Sequence, residues 1–502
     1  MWALLPFMAM VALVATQLRR DHRIVSRIHR SGVLGPPTRR AGLVFALLIV
    51  VPVVFVRYSG LEGILAGISW MAMTVNVVVS FLISYTWYRY LTWLDPFAHE
   101  GWGWVLATFL LGCVVVPLVF PLREMAESGL GLRLDGTLWN DWWYCFIAIG
   151  LTEEIVKLIP LVAILLFTKQ ADEPFDLILY GSISALAFAF VENVDYLGGS
   201  ELFAVGGRTL YASVAHMFFT SIVAYAIAIA RHRGRSTVLA GAAALLLAAM
   251  AHGFYDLWLM APDRPYLITL LFLLASMHLW VAMKTNLVNL SPHYQEHMVP
   301  KPTMFRYRII NALLAIFLFT YVMKFLLTDR HAAQALLLVQ GGTMGATLLY
   351  LAVSFSSFRF IPGYIGPLRP KGGLWRMLLP VTNWGEDLTG RELLLRIPEK
   401  RSDVRHYMPL HRMLPLRGRL RQRVVLGDDR DWYLFRPERP IPFDGAFGEA
   451  LLIRPHATND TIPDDRYVVV VAMVFRHTPM LAAGTARVDE LEFAGYVHGK
   501  LG

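Results

Sequence analysis

The chain has 502 residues, of which 56% are hydrophobic and 17% are charged, whereas an average soluble chain has about 25% charged residues. This composition excludes a large water-soluble enzyme and predicts a polytopic membrane protein with a smaller soluble part. The formal net charge of +9 does not indicate nucleic-acid binding, because many arginines flank apolar segments, as membrane topology demands.

Apolar runs long enough to cross a bilayer recur from the N-terminus to about residue 358. A hydrocarbon core of about 30 Å needs about 20 apolar residues per helix. Proline and glycine clusters separate the runs, which supports their division into individual helices. We predict eleven transmembrane helices, at residues 2–18, 41–57, 61–88, 103–121, 142–167, 176–197, 209–230, 237–260, 265–283, 307–327 and 331–355.

Lysine and arginine are distributed unequally between alternate loops. One set of loops holds 16 of them and the other set holds 6, and most of the excess lies in the first loop. Because cytoplasmic loops carry more lysine and arginine, this predicts an N-terminus outside and, after an odd number of helices, a cytoplasmic C-terminus. We therefore expect a multi-pass protein of the plasma (inner) membrane.

From about Arg359 the composition changes, with more proline, glycine and charge. Four runs there have the residue types of β-strands, at 423–426, 432–435, 451–454 and 467–475. The predicted fold class is an all-α polytopic membrane helix bundle with a small β-rich soluble domain at the C-terminus. This region contains a basic stretch with Arg412, Arg417, Arg419, Arg421 and Arg423. The stretch can bind the anionic leaflet of the membrane, or it can be an ordinary solvent-exposed basic surface.

The most informative residues are ionisable side chains inside apolar segments. Such a group at mid-membrane costs about 2.5–3.5 kcal/mol even on insertion scales, so it faces a partner or a wet cavity. The fifth predicted helix carries Glu153, Glu154 and Lys157, with both glutamates within one turn of the lysine. Adjacent glutamates point about 100° apart, so we expect different roles for them.

The next three predicted helices each add polar groups. The sixth carries Glu192 and Asn193, the seventh carries His216, and the eighth carries His252 and Asp256 at a spacing that shares one helix face. Under the predicted topology all these groups lie at similar depth in the outer half of the membrane. We therefore predict one polar cavity that opens to the outside. Lys324, on a later helix without such a cluster, is interpreted as a snorkelling or hydrogen-bonded side chain.

The chemistry available to this cluster is limited. A glutamate can activate water as a general base, and a histidine can stabilise an oxyanion. Two histidines and a carboxylate, His216, His252 and Glu153, can alternatively hold a zinc ion. A proton-coupled secondary transporter remains a second hypothesis, because intramembrane Glu, His and Lys also form proton relays. A membrane sensor or scaffold is a third hypothesis. It would need only the C-terminal region and would not explain the polar cluster.

The ordered motifs resemble the PrsW family of intramembrane proteases, relatives of the CAAX-processing and bacteriocin-processing membrane proteases. The resemblance covers roughly residues 142–260 and rests on Glu153-Glu154-x-x-Lys157, Phe188-x-x-x-Glu192-Asn193, His216 and His252-x-x-x-Asp256. It implies hydrolysis of a peptide bond in a membrane-anchored protein near the extracytoplasmic side. It carries a catalytic role to Glu153 and Glu154 and site roles to Glu192, His216 and His252.

These observations give four predicted regions and one predicted site. The regions are N-terminal transmembrane helices at 1–141, a protease-like catalytic core at 142–260, C-terminal transmembrane helices at 261–358, and a cytoplasmic linker with a β-rich domain at 359–502. The expected partners are a membrane-anchored substrate, the lipid bilayer and a regulatory partner of the C-terminal domain, with no nucleic acid. The cofactor is either zinc or none. The catalytic residues are Glu153, Glu154, His216 and His252, with Lys157, Glu192, Asn193 and Asp256 positioning the substrate or the catalytic groups.

Overall fold

The computed structural model of the chain describes most residues from 36 to 358 and the strands of the C-terminal region. The described residues are 36–97, 100–260, 265–294, 298–300, 302–358, 360, 365–366, 368, 388–396, 413–424, 432–443, 446–448, 450–455, 466–473 and 492–501. The first predicted span, at 2–18, lies outside them.

The described part of the membrane region is helical. Its helices are α1 (Pro36–Tyr58), α2 (Met71–Leu94), α3 (Trp102–Leu130), α4 (Leu138–Trp143), α5 (Thr152–Phe167), α6 (Pro174–Gly199), α7 (Val205–His232), α8 (Thr237–Met260), α9 (Leu267–Val288), α10 (Pro302–Leu327), α11 (Arg330–Val339) and α12 (Gly345–Phe355). A π-helix, Tyr144–Leu151, joins α4 to α5, and another, Gln340–Met344, joins α11 to α12.

The prediction of eleven transmembrane helices is not confirmed. Among the described residues, seven helices are long and apolar enough to cross a membrane, or eight if the pair α11 and α12, bent by 45°, is one span. The apolar part of α1 is short, from Leu43 to Tyr58. Three ionisable residues interrupt the apolar run of α5, and residues 59–70 form turns instead of the start of the third predicted helix. A hydropathy pattern does not reveal such bends and interruptions.

The chain divides into two compact units. One comprises residues 41–280 and 307–352, and the other includes 281–306 and the residues from 353 onward. In the first unit α6 is the central helix, packed by α2, α3, α5 and α7, with α8 against α7. Because α6 is enclosed by its neighbours, several of its polar residues are buried in protein, including Ser182, Ser184 and Asn193.

The predicted β-rich domain is present in the second unit. Strands β1 (Glu392–Arg396), β2 (Leu416–Val424), β3 (Trp432–Pro437), β6 (Leu451–Pro455), β7 (Arg466–Met473) and β8 (Glu492–Leu501) form a closed antiparallel barrel in that order, and β4 (Ile441–Phe443) pairs with β5 (Ala446–Gly448). On β2 buried residues alternate with exposed arginines, including Arg417, Arg419 and Arg421, so part of the predicted basic stretch is the outer face of this strand. Arg412 lies outside the described residues.

Candidate active site

Lys157 on α5 is the centre of a buried polar cluster. Its Nζ atom donates to Glu153 Oε2 at 3.2 Å and to Glu154 Oε1 at 2.9 Å, as the spacing of i+4 and i+3 predicts. The same Nζ lies 2.8 Å from Nδ1 of His216 on α7 and 4.4 Å from the ring centre of Phe188 on α6. The lysine therefore joins three helices through one ammonium group.

The contact with Lys157 determines how the His216 ring uses its two nitrogens. A lysine ammonium can only donate, so Nδ1 of His216 accepts, and in the neutral ring the hydrogen is on Nε2. That Nε2 lies 3.0 Å from Glu192 Oε2, which accepts the hydrogen. His216 thus connects the buried lysine to Glu192, whose side chain is 24% exposed.

His252 on α8 lies between carboxylates from two helices. Its Nδ1 is 3.0 Å from Glu154 Oε1, and its Nε2 is 3.3 Å from Asp256 Oδ2 and 3.7 Å from Glu153 Oε2. The ring stacks on Phe219, with 4.8 Å between ring centres, which fixes its plane. The i, i+4 pairing of His252 with Asp256 is the one that the sequence spacing predicts.

The two adjacent glutamates have different surroundings. Both oxygens of Glu154 are engaged, Oε1 by Lys157 and His252 and Oε2 by Thr220 Oγ1 at 2.9 Å, and its side chain is 0% exposed. Glu153 instead accepts from Arg123, whose side chain is 31% exposed, at 3.2 Å. Glu153 therefore lies on the open side of the cluster and Glu154 on the closed side.

Asn193 is connected to the predicted cluster through Arg208. It is fully buried, its Nδ2 donates to Ser213 Oγ at 3.4 Å, and its Oδ1 accepts from Arg208 Nε. The same arginine donates through Nη2 to Glu192 Oε2 at 2.7 Å. The structure thus places Asn193 beside Arg208. Of the other predicted site residues, Glu153, Glu154, His216 and Asp256 contact Lys157 or His252, and Glu192 joins them through His216.

Three residues of this cluster were not predicted as site residues: Arg123, Arg208 and Thr220. The two arginines lie in predicted loops, just outside the predicted spans 103–121 and 209–230. Thr220 lies one helical turn after His216, and this i, i+4 spacing is the signal that could have indicated it. No comparable local spacing indicates that Arg123 and Arg208 belong to the site, because α3 and α7 approach α5 and α6 through long-range contacts.

Two glycines bring the site helices together. A β-carbon at Gly150 would overlap the carbonyl oxygen of Ala249 on α8, and a β-carbon at Gly253 would lie 2.7 Å from the backbone of Phe146. Gly150 and Phe146 belong to the π-helix before Glu153, and Gly253 follows His252 directly. Small residues of this kind let membrane helices approach closely. This reciprocal contact therefore determines the distance between the glutamates and His252.

We expect Gly253→Ala to destabilise the protein and impair the site, because the added methyl group must push α8 away from Phe146. Overpacking of this kind typically costs about 1–3 kcal/mol. Thermal unfolding in detergent measures the loss, and Gly103→Ala on α3 is the matched control, because the space around that glycine is open. Equal melting temperatures for wild type and Gly253→Ala would contradict the close contact.

The predicted zinc ligands lie close together. Glu153, His216 and His252 are all buried, and each offers a ligand atom within 4.8 Å of the others. Two histidines and one glutamate are a donor set of catalytic zinc sites, in which a fourth position stays open for water. The residues fit zinc in type and number. If His216 bound the metal through Nδ1, this nitrogen would have to give up its contact with the ammonium of Lys157.

A second acidic group lies at the other end of α6. Carboxylate oxygens of Glu100, Asp172 and Asp176 lie within 4.8 Å of one another. Nearby, Asp95 follows α2 and accepts from the backbone N–H of Phe97 at 3.2 Å. Burial, with the charge of Glu173 next in size, raises the pKa of Asp95 to about 7.

Comparison with known proteins identifies the relatives of the site-bearing segment. Residues 100–283 match the family model described as PrsW family intramembrane metalloprotease. Protease PrsW of Geobacillus kaustophilus is 29% identical over 190 residues, 38% of this chain and 81% of the relative. Protease PrsW of Halalkalibacterium halodurans is 28% identical over 201 residues, 39% of this chain and 88% of the relative. Protease PrsW of Bacillus subtilis is 27% identical over 169 residues, 33% of this chain and 74% of the relative. No solved structure matches the chain.

These matches confirm the resemblance to the PrsW family and the prediction of a membrane protease. The several apolar helices agree with a multi-pass membrane protein. The matched segment is wider than residues 142–260, since it begins at residue 100 and includes Arg123. The helices before residue 100 and all residues after 283 lie outside the family match.

Proposed function

We propose that this chain is an intramembrane endopeptidase that hydrolyses a peptide bond in a membrane-anchored protein near the extracytoplasmic side, with Glu153 as the general base. The single observation that carries the proposal is the asymmetry of the two glutamates. Glu154 is enclosed by three donors, whereas Glu153 lies beside the partly exposed Arg123. A group that receives a proton from water must be reachable by water, and this favours Glu153, whose side chain is 5% exposed and lies beside Arg123, over Glu154, whose side chain is 0% exposed.

The proposed reaction begins when Glu153 takes a proton from a water molecule. The water oxygen forms a bond to the carbonyl carbon of the peptide, and an oxyanion develops on the carbonyl oxygen. The C–N bond then breaks, and the proton held by Glu153 passes to the leaving amine. A positioned general base of this kind contributes about 10²–10⁴-fold to a rate.

His252 is the proposed stabiliser of the oxyanion. Its Nδ1 faces Glu154, and its Nε2 faces the side that carries Asp256, whose side chain is 15% exposed. A doubly protonated ring donates to Glu154 through Nδ1 and offers its Nε2–H to the developing charge. Phe219 keeps the ring in this plane. His216 holds Glu192 and Lys157 in place from the opposite side.

A zinc ion is the proposed alternative way to use the same residues. Glu153, His216 and His252 would hold it, and a zinc ion in such a site polarises a carbonyl and lowers the pKa of bound water. The description of the matching family as metalloproteases favours this version, and the ammonium of Lys157 at Nδ1 of His216 favours the glutamate-only version.

Metal content and chelation separate these versions. If zinc is required, the purified protein binds about one zinc per chain, chelation abolishes cleavage and added zinc restores it. In that case His252→Ala lowers the zinc content, whereas the exposed control Glu124→Gln does not. Full cleavage after thorough chelation, with no zinc bound, supports the glutamate-only version.

The protease activity itself is tested with purified protein reconstituted in lipid vesicles and a panel of tagged single-span membrane proteins. The expected result is a discrete fragment whose mass places the cut near the extracytoplasmic end of the substrate span. A cut near the cytoplasmic end would contradict the proposed side. Absence of any cleavage together with measurable solute uptake would favour the proton-coupled transporter, which uses the same Glu, His and Lys residues.

A further inference from the structure

We propose that α10 and the bent pair α11 and α12 position the active site from outside the family match, by holding the connecting segment (residues 200–208) that presents Arg208 to Glu192. This inference rests on the proposed function. The connecting segment runs from the end of α6 to the first turns of α7. All its contacts described below lie within one compact unit of the chain, residues 41–280 and 307–352.

The connecting segment begins with an unusual backbone conformation. Glu201 and Leu202 are consecutive non-glycine residues with positive φ angles of 48° and 75°. Leu202 is buried, and its N–H donates to the carbonyl of Leu197 at 2.9 Å. Left-handed backbone is unfavourable for residues with a β-carbon, so it persists only where surrounding contacts hold it. The segment therefore needs external support.

Lys324 on α10 provides the first support. Its Nζ donates to Glu201 Oε2 at 2.9 Å and lies 5.3 Å from the ring centre of Phe203. The lysine side chain is 3% exposed and the glutamate side chain is 76% exposed. An ammonium buried on an apolar helix pairs with a charged group or with backbone carbonyls, or faces a water-filled cavity. Among the described contacts of Lys324, this carboxylate is the anion, so the lysine draws Glu201 toward α10.

Gln340, at the junction of α11 and α12, provides the second support. Its Nε2 donates to the carbonyl of Phe203 at 3.4 Å. A β-carbon at Gly206 would overlap Gln340 Oε1 and lie 2.6 Å from Met344 Cγ. A β-carbon at position 206 would therefore have to displace these two side chains, so the glycine lets the first turn of α7 approach this junction closely. Farther along α7, the hydroxyls of Tyr211 and Thr347 lie 2.8 Å apart.

These contacts bracket Arg208 on both sides. Gly206 lies two residues before it and Tyr211 three residues after it. Arg208 itself donates to Glu192 at 2.7 Å, and its guanidinium lies 4.4 Å from the ring centre of Tyr196. Glu192 in turn accepts from His216. A displacement of the connecting segment therefore reaches the cluster through Arg208 and Glu192, which makes Lys324 and Gln340 positioning residues.

The supporting residues all follow residue 283, where the family match ends. The PrsW relatives match this chain over segments that are 81% and 88% of their own lengths but only 38% and 39% of this chain. The additional helices of this chain thus have a specific task, which is to hold the part of α7 that lies against the active site.

A charge exchange tests the contact between Lys324 and Glu201. We expect Lys324→Met to lower kcat about tenfold with little change in KM, since a positioning contact of this size corresponds to a coupling of about 1.4 kcal/mol. Lys324→Arg retains most of the activity. The pair Lys324→Glu with Glu201→Lys recovers activity relative to either single variant. The matched control is Thr320→Val, one turn earlier on α10, whose hydroxyl bonds only the carbonyl of Ile316 among the described contacts.

A double-mutant cycle shows whether Lys324 acts through Arg208. If it does, Lys324→Met adds little to the loss caused by Arg208→Gln, whereas additive losses overturn the inference. Hydrogen–deuterium exchange of residues 198–212 gives a second measurement that does not depend on catalysis. We expect faster exchange there in Lys324→Met than in Thr320→Val, and equal exchange would overturn the inference. If the wild type cleaves no substrate, the proposed function fails, and this exchange measurement still decides whether α10 holds the segment.

Discussion

Glu153→Gln is expected to lower peptide cleavage by about 10²–10⁴-fold while the protein stays folded. Arg123 and Lys157 bond different oxygens of Glu153, so the amide oxygen keeps one of these two hydrogen bonds. The amide cannot take a proton from water. Lys157 keeps its ion pair with Glu154, so the buried ammonium is not left alone. Cleavage of a reconstituted single-span substrate measures the rate, and thermal unfolding in detergent measures the fold.

The neighbouring glutamate is the internal comparison for this result. Glu154→Gln is also expected to reduce cleavage, but with a clear loss of stability, because Glu154 is fully enclosed by Lys157, His252 and Thr220. Glu124→Gln, at an exposed position on α3, changes neither property. Undiminished cleavage by Glu153→Gln would remove this residue from the chemistry. Full activity and unchanged stability of Glu154→Gln would contradict its enclosed role.

Lys157→Met is expected to produce the largest loss of stability among single substitutions in the site. Removing one partner of a buried ion pair costs about 3–5 kcal/mol, because the remaining charge stays buried without compensation. Here two carboxylates, Glu153 and Glu154, and Nδ1 of His216 lose the same donor. Total stabilities of folded domains are only about 5–15 kcal/mol, so this loss is a large part of the whole.

Unfolding in detergent by heat and by denaturant measures this effect. Lys169→Met is the matched control, since Lys169 is exposed just after the end of α5. Lys157→Arg keeps the charge with a different geometry, and we expect intermediate stability for it. If Lys157→Met were as stable as Lys169→Met, the ammonium would not be a structural centre of the cluster.

The sequence predicts the gathering of the cluster well, for a physical reason. Placing an ionisable residue in an apolar helix costs free energy unless the side chain contacts a polar partner or water. Glu153, Lys157, His216 and His252 are therefore expected to contact one another or a water-filled cavity. The pairs within one helix, such as His252 with Asp256, follow directly from helical geometry. These expectations need only local spacing and the energetics of the membrane.

The features that the sequence does not predict are long-range contacts. Arg123 and Arg208 reach the cluster because α3 and α7 pack against α5 and α6. The residues next to the two arginines in the sequence do not indicate this packing. The reciprocal contact of Gly150 and Gly253 likewise depends on the pairing of the π-helix with α8. The prediction of eleven spans is not confirmed among the described residues, because hydropathy does not record the turns at 59–70 or the bend between α11 and α12.

The closure of the C-terminal barrel has a consequence for biosynthesis. Strand β8 pairs with β1 on one side and β7 on the other, so its residues, Glu492–Leu501, complete the ring of strands. Strand β1 begins at Glu392, and its partner on this side is therefore synthesised only about a hundred residues later. Contacts between such distant segments form slowly because loop closure must precede them. The ribosome can deliver the membrane helices to the bilayer one after another, whereas the barrel must wait for its last strand and folds after them.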